Sequence, residues 1–305
     1  MRAKVADIEI CGDTFRVVLE GAPQLQAVTP QNVLAELRAK HEDFRHFLLD
    51  PPRGHRDVNA CLLLPPVSEV ALSTLVVAAQ FGYAPVAGTM LMAASTALIE
   101  TGALTPDNPG QVRFDTAAGP QHVSIVNRDA ESPQTIWHTP APTLCVAHGD
   151  LALDGRSVPV SLVHSGLVYV VVSASDLGLS MQDHTALSQA GCTVSAAALE
   201  AFPVAEHGLA EVGEAYLVMI VGEMERQGPS AEVNVAWVSG SGLVANSAGG
   251  TGAVAVAAHV TASGQLDVGA PLIARAPGGP FECRLFKDRA EVAATPKLIA
   301  LKELI

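Results

Sequence analysis

Positive charge is scarce in this chain: 18 Lys and Arg stand against 31 Asp and Glu, a formal net charge of −13. Nucleic acid and anionic membrane both require basic patches, so neither is expected as a partner. Cysteine is scarce as well. The five present (Cys11, Cys61, Cys145, Cys192 and Cys283) form no C-x-x-C pair and are odd in number, which argues against a disulfide framework. Long hydrophobic runs are missing too. The longest, Val86 to Ile99, is too short to cross a bilayer and contains Thr and Ser. The opening MRAKVADIEI reads as a strand without the apolar core of a signal peptide, so a reducing cytoplasm is the expected setting. His122, His138, His148 and His184 show no ligand spacing such as H-x-x-x-H, and no metal or other cofactor is expected. The Ser239–Gly242 turn lacks the Lys-Ser/Thr that follows a phosphate loop.

What is present is a repeated helix start. Ala87-Gly88-Thr89 opens a run that reads through Glu100-Thr101-Gly102-Ala103-Leu104, and Gly249-Gly250-Thr251 opens another through Ser263-Gly264-Gln265-Leu266. Aligned without a gap, Gly88 meets Gly250, Thr89 meets Thr251, Ala93 meets Ala255, Gly102 meets Gly264 and Leu104 meets Leu266. Each copy predicts an Ala-rich apolar helix ended by a glycine. Such a helix exposes unpaired N–H groups at its positive end, and two of them facing one another would cradle a small anion. A length of 305 residues suits two lobes, and a hydrophobic content of 49% suits a folded protein.

Along the chain, Arg2 to Glu20 alternates as strands around a turn at Cys11-Gly12-Asp13. Thr29 is placed to cap one amphipathic helix running through Leu48, and Pro51-Pro52 ends it. Strands are expected at Ala60–Leu64, Thr74–Gln80, Gln111–Asp115 and His122–Asn127. The polar, proline-bearing stretch Asp129 to Pro142 reads as a crossing between lobes. Val158–His164, Leu167–Ser173, Tyr216–Val221, Glu232–Trp237, Phe281–Phe286 and Glu291–Ala294 read as further strands, with a helix over Ala186–Ala201. This is an α+β pattern, a sheet wrapped around one central helix in each half.

The sequence resembles the proline racemase family, with its hydroxyproline epimerases and trans-3-hydroxyproline dehydratases, nearly end to end. Gly12-Asp13-Thr14-Phe15-Arg16 sits where the family has a Gly-Glu-Pro-Thr-Arg-like strand. Pro52-Arg53-Gly54-His55 matches its Pro-Arg-Gly-His turn, and Glu100-Thr101-Gly102 its helix end. Phe114-Asp115-Thr116-Ala117-Ala118-Gly119 is similar to its Asp-Thr-x-x-Gly hairpin, and Ser247 with Gly250-Thr251-Gly252 falls in its Asp-Arg-Ser-Pro-Cys-Gly-Thr-Gly signature. The resemblance implies two pseudosymmetric lobes of the diaminopimelate epimerase kind with the ligand in a cleft between them. It places residues 1–130 and 287–305 in the first lobe and 131–286 in the second.

The departures are as specific. Family racemases place one cysteine before each of the two helices, and these thiols exchange the α-proton from opposite faces. Those positions fall here on Ala87 and Gly249. The family's His falls on Thr89, its Asp-Arg pair on Ala245-Asn246 and the Asn of its Gly-Gly-Asn strand on Leu167. Two-cysteine racemisation is therefore not expected. Gly88, Gly249, Gly250 and Gly252 remain as the anion cradle, and Ala87, Met90, Leu167 and Ala245 give it an apolar lining. His164, with Thr89 or Thr251 orienting the substrate, is the candidate acid/base, on the strand that lines the cleft in relatives. Arg53 and His55 read as structural. Three functions stay open: a divergent, cofactor-independent isomerase or lyase acting on a small carboxylate, a binding protein that kept the cradle, or a non-catalytic subunit. A homodimer is compatible with each.

Overall fold

The computed structural model describes residues 1–55, 57–104, 110–127, 133–207 and 216–305. Contacts divide the chain into a first unit, Met1–Thr139 with Ala293–Ile305, and a second, Pro140–Val292. The expected boundary at 130/131 lies outside the described residues. In this division the chain returns to the first unit at Ala293, whereas the expected return was at residue 287.

The first unit contains β1 (Ala3–Ile10), β2 (Asp13–Glu20), α1 (Pro30–Lys40), α2 (Glu42–Leu49), β3 (Asn59–Leu64), β4 (Ser73–Ala79), β5 (Gly82–Ala84), α3 (Gly88–Glu100), β6 (Gln111–Asp115), β7 (Gln121–Val126) and β8 (Gln134–Pro140). The second contains β9 (Thr143–Leu153), β10 (Arg156–His164), β11 (Val168–Ser173), α4 (Ala174–Leu177), α5 (His184–Ala201), β12 (Leu217–Gln227), β13 (Ser230–Val238), α6 (Gly250–Ala262), β14 (Pro271–Ala276) and β15 (Gly279–Leu285). β16 (Arg289–Ala294) spans the boundary, and β17 (Lys297–Leu304) pairs with β1 in the first unit.

Strand pairing repeats between the units. In the first, β1–β2 is antiparallel, β2–β3 parallel, β3–β4 antiparallel, β4–β6 parallel and β6–β7 antiparallel. In the second, β10–β11, β11–β12, β12–β13, β13–β14 and β14–β15 follow the same alternation. Helices occupy matching places: α1 and α2, like α4 and α5, bridge the first parallel pair, and α3, like α6, precedes the second. Both central helices are 13 residues long. Each ends at a left-handed glycine, Gly102 (φ 74°) and Gly264 (φ 70°), a backbone that side chains strain to adopt. The leucine two residues on, Leu104 or Leu266, returns its N–H to the helix. The duplicated signal is thus a duplicated fold.

The central strands of each unit are buried on both faces. In the second unit, Leu162, Val168, Val170, Val172, Val218, Ile220, Ala236 and Val238 share a core with Leu187, Val194 and Ala198 of α5. The alternate residues face α6. In the first unit, Leu62, Val76 and Ala78 pack on Leu37, Phe44 and Leu48 of α1 and α2, and α3 is buried from Gly88 to Leu98.

One expected helix needs correcting, and strands left unassigned above need adding. The single helix after Thr29 is two. Thr29 does cap the first, its hydroxyl accepting from the Asn32 N–H (3.3 Å). His41 then leaves helical geometry (φ −131°, ψ 29°), and the Tyr83 hydroxyl takes its carbonyl at 2.8 Å. The change of unit at Thr139 and Pro140 falls within the expected crossing Asp129–Pro142, of which residues 129–132 lie outside the described residues and 134–140 form β8, a strand with Thr135 and Trp137 buried. β5, β9, β14 and β17 are likewise strands unassigned above.

Candidate functional site

Several residues of the family-like motifs are structural. Buried Arg16 forms a bidentate pair with Asp7 (Nε to Oδ1 2.9 Å, Nη2 to Oδ2 3.1 Å). Its Nη1 donates to the Leu48 and Arg53 carbonyls at 2.6 and 2.9 Å. Lys302 reaches the same carboxylate at 2.6 Å. Arg16 and Lys302 together hold the Asp7 carboxyl below its ordinary pKa, against the effect of burial. Arg53 donates to the Phe47 carbonyl (2.9 Å) and lies 4.6 Å over the Phe47 ring, so that turn is structural, as expected. Gly54 is required by close approach, because a Cβ there would fall onto the Leu49 carbonyl. Asp115 accepts from the Val67 and Ser68 N–H groups and the Ser68 hydroxyl, and Thr116 closes the hairpin onto the Gly119 carbonyl (2.6 Å).

The two helix starts are what the sequence leaves for chemistry. At α3, Ala87 is the cap residue in extended geometry and contributes no side-chain hydrogen bond. Its carbonyl takes the Met90 and Leu91 N–H groups (3.1 and 3.2 Å), and the Gly88 and Thr89 N–H groups have no partner among the described residues. The Trp137 indole packs flat on Gly88, where a Cβ would stand 2.5 Å from Cζ3 and 2.7 Å from Cδ2. Buried Trp137 is fixed by its Nε1 donating to Gln121 Oε1 at 3.0 Å. Thr89 is buried as a residue at 6% exposure. Met90 lies in the interior at 1% exposure.

At α6, Gly249 is the cap residue with φ 66° and ψ 155°, a conformation that only glycine adopts readily. The first helical bond runs from the Ala253 N–H to its carbonyl (2.9 Å), leaving the N–H groups of Gly250, Thr251 and Gly252 without partners among the described residues. Behind them stand side chains that the sequence reading missed. Ser165 Oγ donates to the Thr251 carbonyl at 2.8 Å. The Tyr169 hydroxyl lies 2.7 Å from Thr251 Oγ1, and Trp237 Nε1 donates to that phenol oxygen at 3.3 Å. Trp237 and Met219 also wall the Gly252 position. Burial raises the Tyr169 pKa to about 12, so the phenol keeps its proton. Leu167 and Ala245 edge this group: the Leu167 carbonyl accepts from Ser165 (2.9 Å), and the Ala245 N–H donates to the Trp237 carbonyl (3.0 Å).

His164 is not brought to α6. Ser161 and Ser165 bond residues of α6, through His259 and the Thr251 carbonyl, so that parity of β10 faces the central helix. Leu162 belongs to the α5 core, and strand alternation puts His164 on its side. The imidazole is half-buried there, and burial lowers its pKa. Among the described residues no group of three or more His, Cys, Asp or Glu could hold a metal ion. Likewise, no described helix is long and apolar enough to cross a membrane.

A family model described as proline racemase matches residues 5–301. A 4-hydroxyproline epimerase of Brucella suis is 26% identical over 298 residues, covering 96% of this chain and 88% of its own. A 4-hydroxyproline 2-epimerase of Shewanella loihica is 29% identical over 54% of this chain and 50% of its own. Among solved structures, a hydroxyproline epimerase from Agrobacterium vitis with bound trans-4-hydroxy-L-proline superposes with a TM-score of 0.86 at 20% identity, over 99% of this chain and 92% of its own. A probable proline racemase from Agrobacterium radiobacter with bound carbonate gives 0.85 at 21% identity, over 98% and 92%. These likenesses establish the two-part α+β fold.

Proposed function

Because the chain belongs to the proline racemase family, we propose that it binds a small carboxylated metabolite at the starts of α3 and α6 and does not racemise by a two-thiol mechanism. One observation carries this reading. Both helix starts present uncommitted N–H donors while their cap positions, Ala87 and Gly249, hold no group able to move a proton. Each helix adds roughly half a positive charge at that end, which favours an oxyanion. Named relatives, hydroxyproline epimerases, direct the first trials to cyclic imino acids. Loss of a positioned acid/base group typically costs roughly 10²–10⁴-fold in rate, and both are missing. In D₂O, trans-4-hydroxy-L-proline should bind, detected calorimetrically, and gain no α-deuterium above the blank. Deuterium incorporation refutes the claim that proton exchange is lost, and absence of binding across a panel of carboxylates refutes the binding claim.

A second reading, a cofactor-independent isomerase or lyase, is favoured by the position of Thr89, a hydroxyl-bearing residue beside N–H donors without partners among the described residues. Elimination or double-bond migration needs proton transfer on one face only, unlike racemisation. With His164 on the α5 side, Thr89 and Thr251 are the polar side chains left at the helix starts. Proton NMR of hydroxyprolines incubated with the protein tests this reading: loss of water or a new olefinic signal supports it, and an unchanged spectrum leaves binding alone.

A further inference from the structure

The second unit decides the polarity of its own helix start. A tryptophan indole N–H can only donate, so Trp237 makes the Tyr169 oxygen an acceptor (3.3 Å). The phenol's proton then goes to its remaining neighbour, Thr251 Oγ1 at 2.7 Å, and a phenol is the stronger acid of the two hydroxyls. Thr251 in turn is left with a proton of its own, and no other described residue accepts it. Its side chain is 4% exposed and sits among the three uncommitted N–H groups of Gly250, Thr251 and Gly252. Ser165 reinforces the pattern: its hydroxyl donates to the Thr251 carbonyl and removes that acceptor from use. The three backbone groups at this position therefore offer hydrogen, and the Thr251 hydroxyl, with one lone pair taken by Tyr169, has its own proton to offer beside them.

We propose that the chain Trp237 to Tyr169 to Thr251 is a positioning device that turns the Thr251 hydroxyl into a donor toward an acceptor oxygen of the ligand at the α6 start. This inference rests on the carboxylate-binding reading above and deepens it by naming the side chains that aim a hydroxyl donor at the ligand oxygen. Tyr169 acts through Thr251 without touching the ligand. The three side chains are far apart in sequence, at 169, 237 and 251, and meet because β11, β13 and α6 share one face of the second sheet.

The test measures calorimetric affinity for trans-4-hydroxy-L-proline and for bicarbonate in wild type, Tyr169→Phe, Thr251→Val, Thr251→Ser and the double variant Tyr169→Phe/Thr251→Val. Losing a hydrogen bond to a charged group should weaken binding about tenfold or more in Tyr169→Phe and Thr251→Val. Thr251→Ser keeps the hydroxyl and should keep the affinity. Because Tyr169 works through Thr251, the double variant should bind no more weakly than Thr251→Val alone. Multiplying losses in the double variant would overturn the proposal. A second readout needs no ligand: in ¹⁵N-labelled protein the Trp237 indole N–H resonance should move in Tyr169→Phe while that of Trp137 stays. An unmoved Trp237 signal overturns the relay. If wild type binds neither probe nor other carboxylates, the binding reading fails, and the indole signal still decides the relay by itself.

Discussion

Gly88→Ala is the sharpest test of how the first helix start is held. The added Cβ would stand 2.5 Å from Trp137 Cζ3 and closer still to Cε3, whereas ordinary contacts begin near 3.4 Å. The indole would have to withdraw by about 1 Å, and overpacking of this kind costs about 1–3 kcal/mol. Withdrawal also strains the Trp137–Gln121 bond, 3.0 Å between buried partners, worth about 1 kcal/mol. Alanine recovers up to about 1 kcal/mol over glycine in a helix, which offsets part of the loss. The net expectation is about 2 kcal/mol of destabilisation, or a fall in Tm of about 3 °C for a chain of this length. Urea denaturation followed by tryptophan emission reads it directly. The companion Trp137→Leu removes the obstacle, so Gly88→Ala in that background should cost less than about 0.5 kcal/mol. If Gly88→Ala costs the same in both backgrounds, the indole is not what excludes a side chain from residue 88.

Three further outcomes follow from the same geometry. His259 donates from Nδ1 to Ser161 Oγ (2.9 Å), which itself donates to the Ala147 carbonyl, and burial, helped by His148, lowers the imidazole pKa while Asp176 opposes. The unfolded chain then binds the proton more readily than the folded one, so stability is present at neutral pH and declines as pH falls through about 6.5 and below. Denaturation midpoints from pH 8 to 5 should slope less in His259→Gln, and an unchanged slope assigns the acid sensitivity elsewhere. Ala87→Cys with Gly249→Cys should restore no α-proton exchange with trans-4-hydroxy-L-proline in D₂O; placing a side chain at φ 66°, ψ 155° costs about 1–3 kcal/mol and displaces any thiol there, and measurable exchange would contradict this. His164→Gln should leave carboxylate affinity within about twofold, since strand alternation turns it toward α5; a tenfold loss by calorimetry would put it back at the site.

What was legible in the sequence was the duplication. Two helix starts and two glycine stops, matched without a gap, gave both central helices to within a residue and implied paired lobes, because capping chemistry is local. Among the strands missed, β9 and β17 are partly buried or exposed over most of their length and β14 opens on Pro271 and carries Arg275, so none shows a strong apolar run. In the candidate site, the backbone donors could be read from the helix starts. Tyr169, Trp237 and Ser165 could not, because β11 is buried on both faces and its sequence does not say which face meets α6. The same ambiguity misdirected His164. One available signal was numerical: only two tryptophans occur in the chain, and each packs at the start of a central helix.

The pairing of β17 with β1 imposes an order of assembly during synthesis. Residues 3–9 find their register with 297–304, and Asp7 meets Lys302 across that seam. A ribosome must therefore deliver all of Pro140–Val292 before the strand that completes the first unit emerges. Domains generally fold as units while the chain is still growing. The second unit, continuous in sequence, can close as it is made, whereas β1 waits through its translation with one edge unpaired, a template for wrong partners. Slowing or stalling translation beyond residue 292 should thus expose the first unit to chaperones and proteases while leaving the second intact.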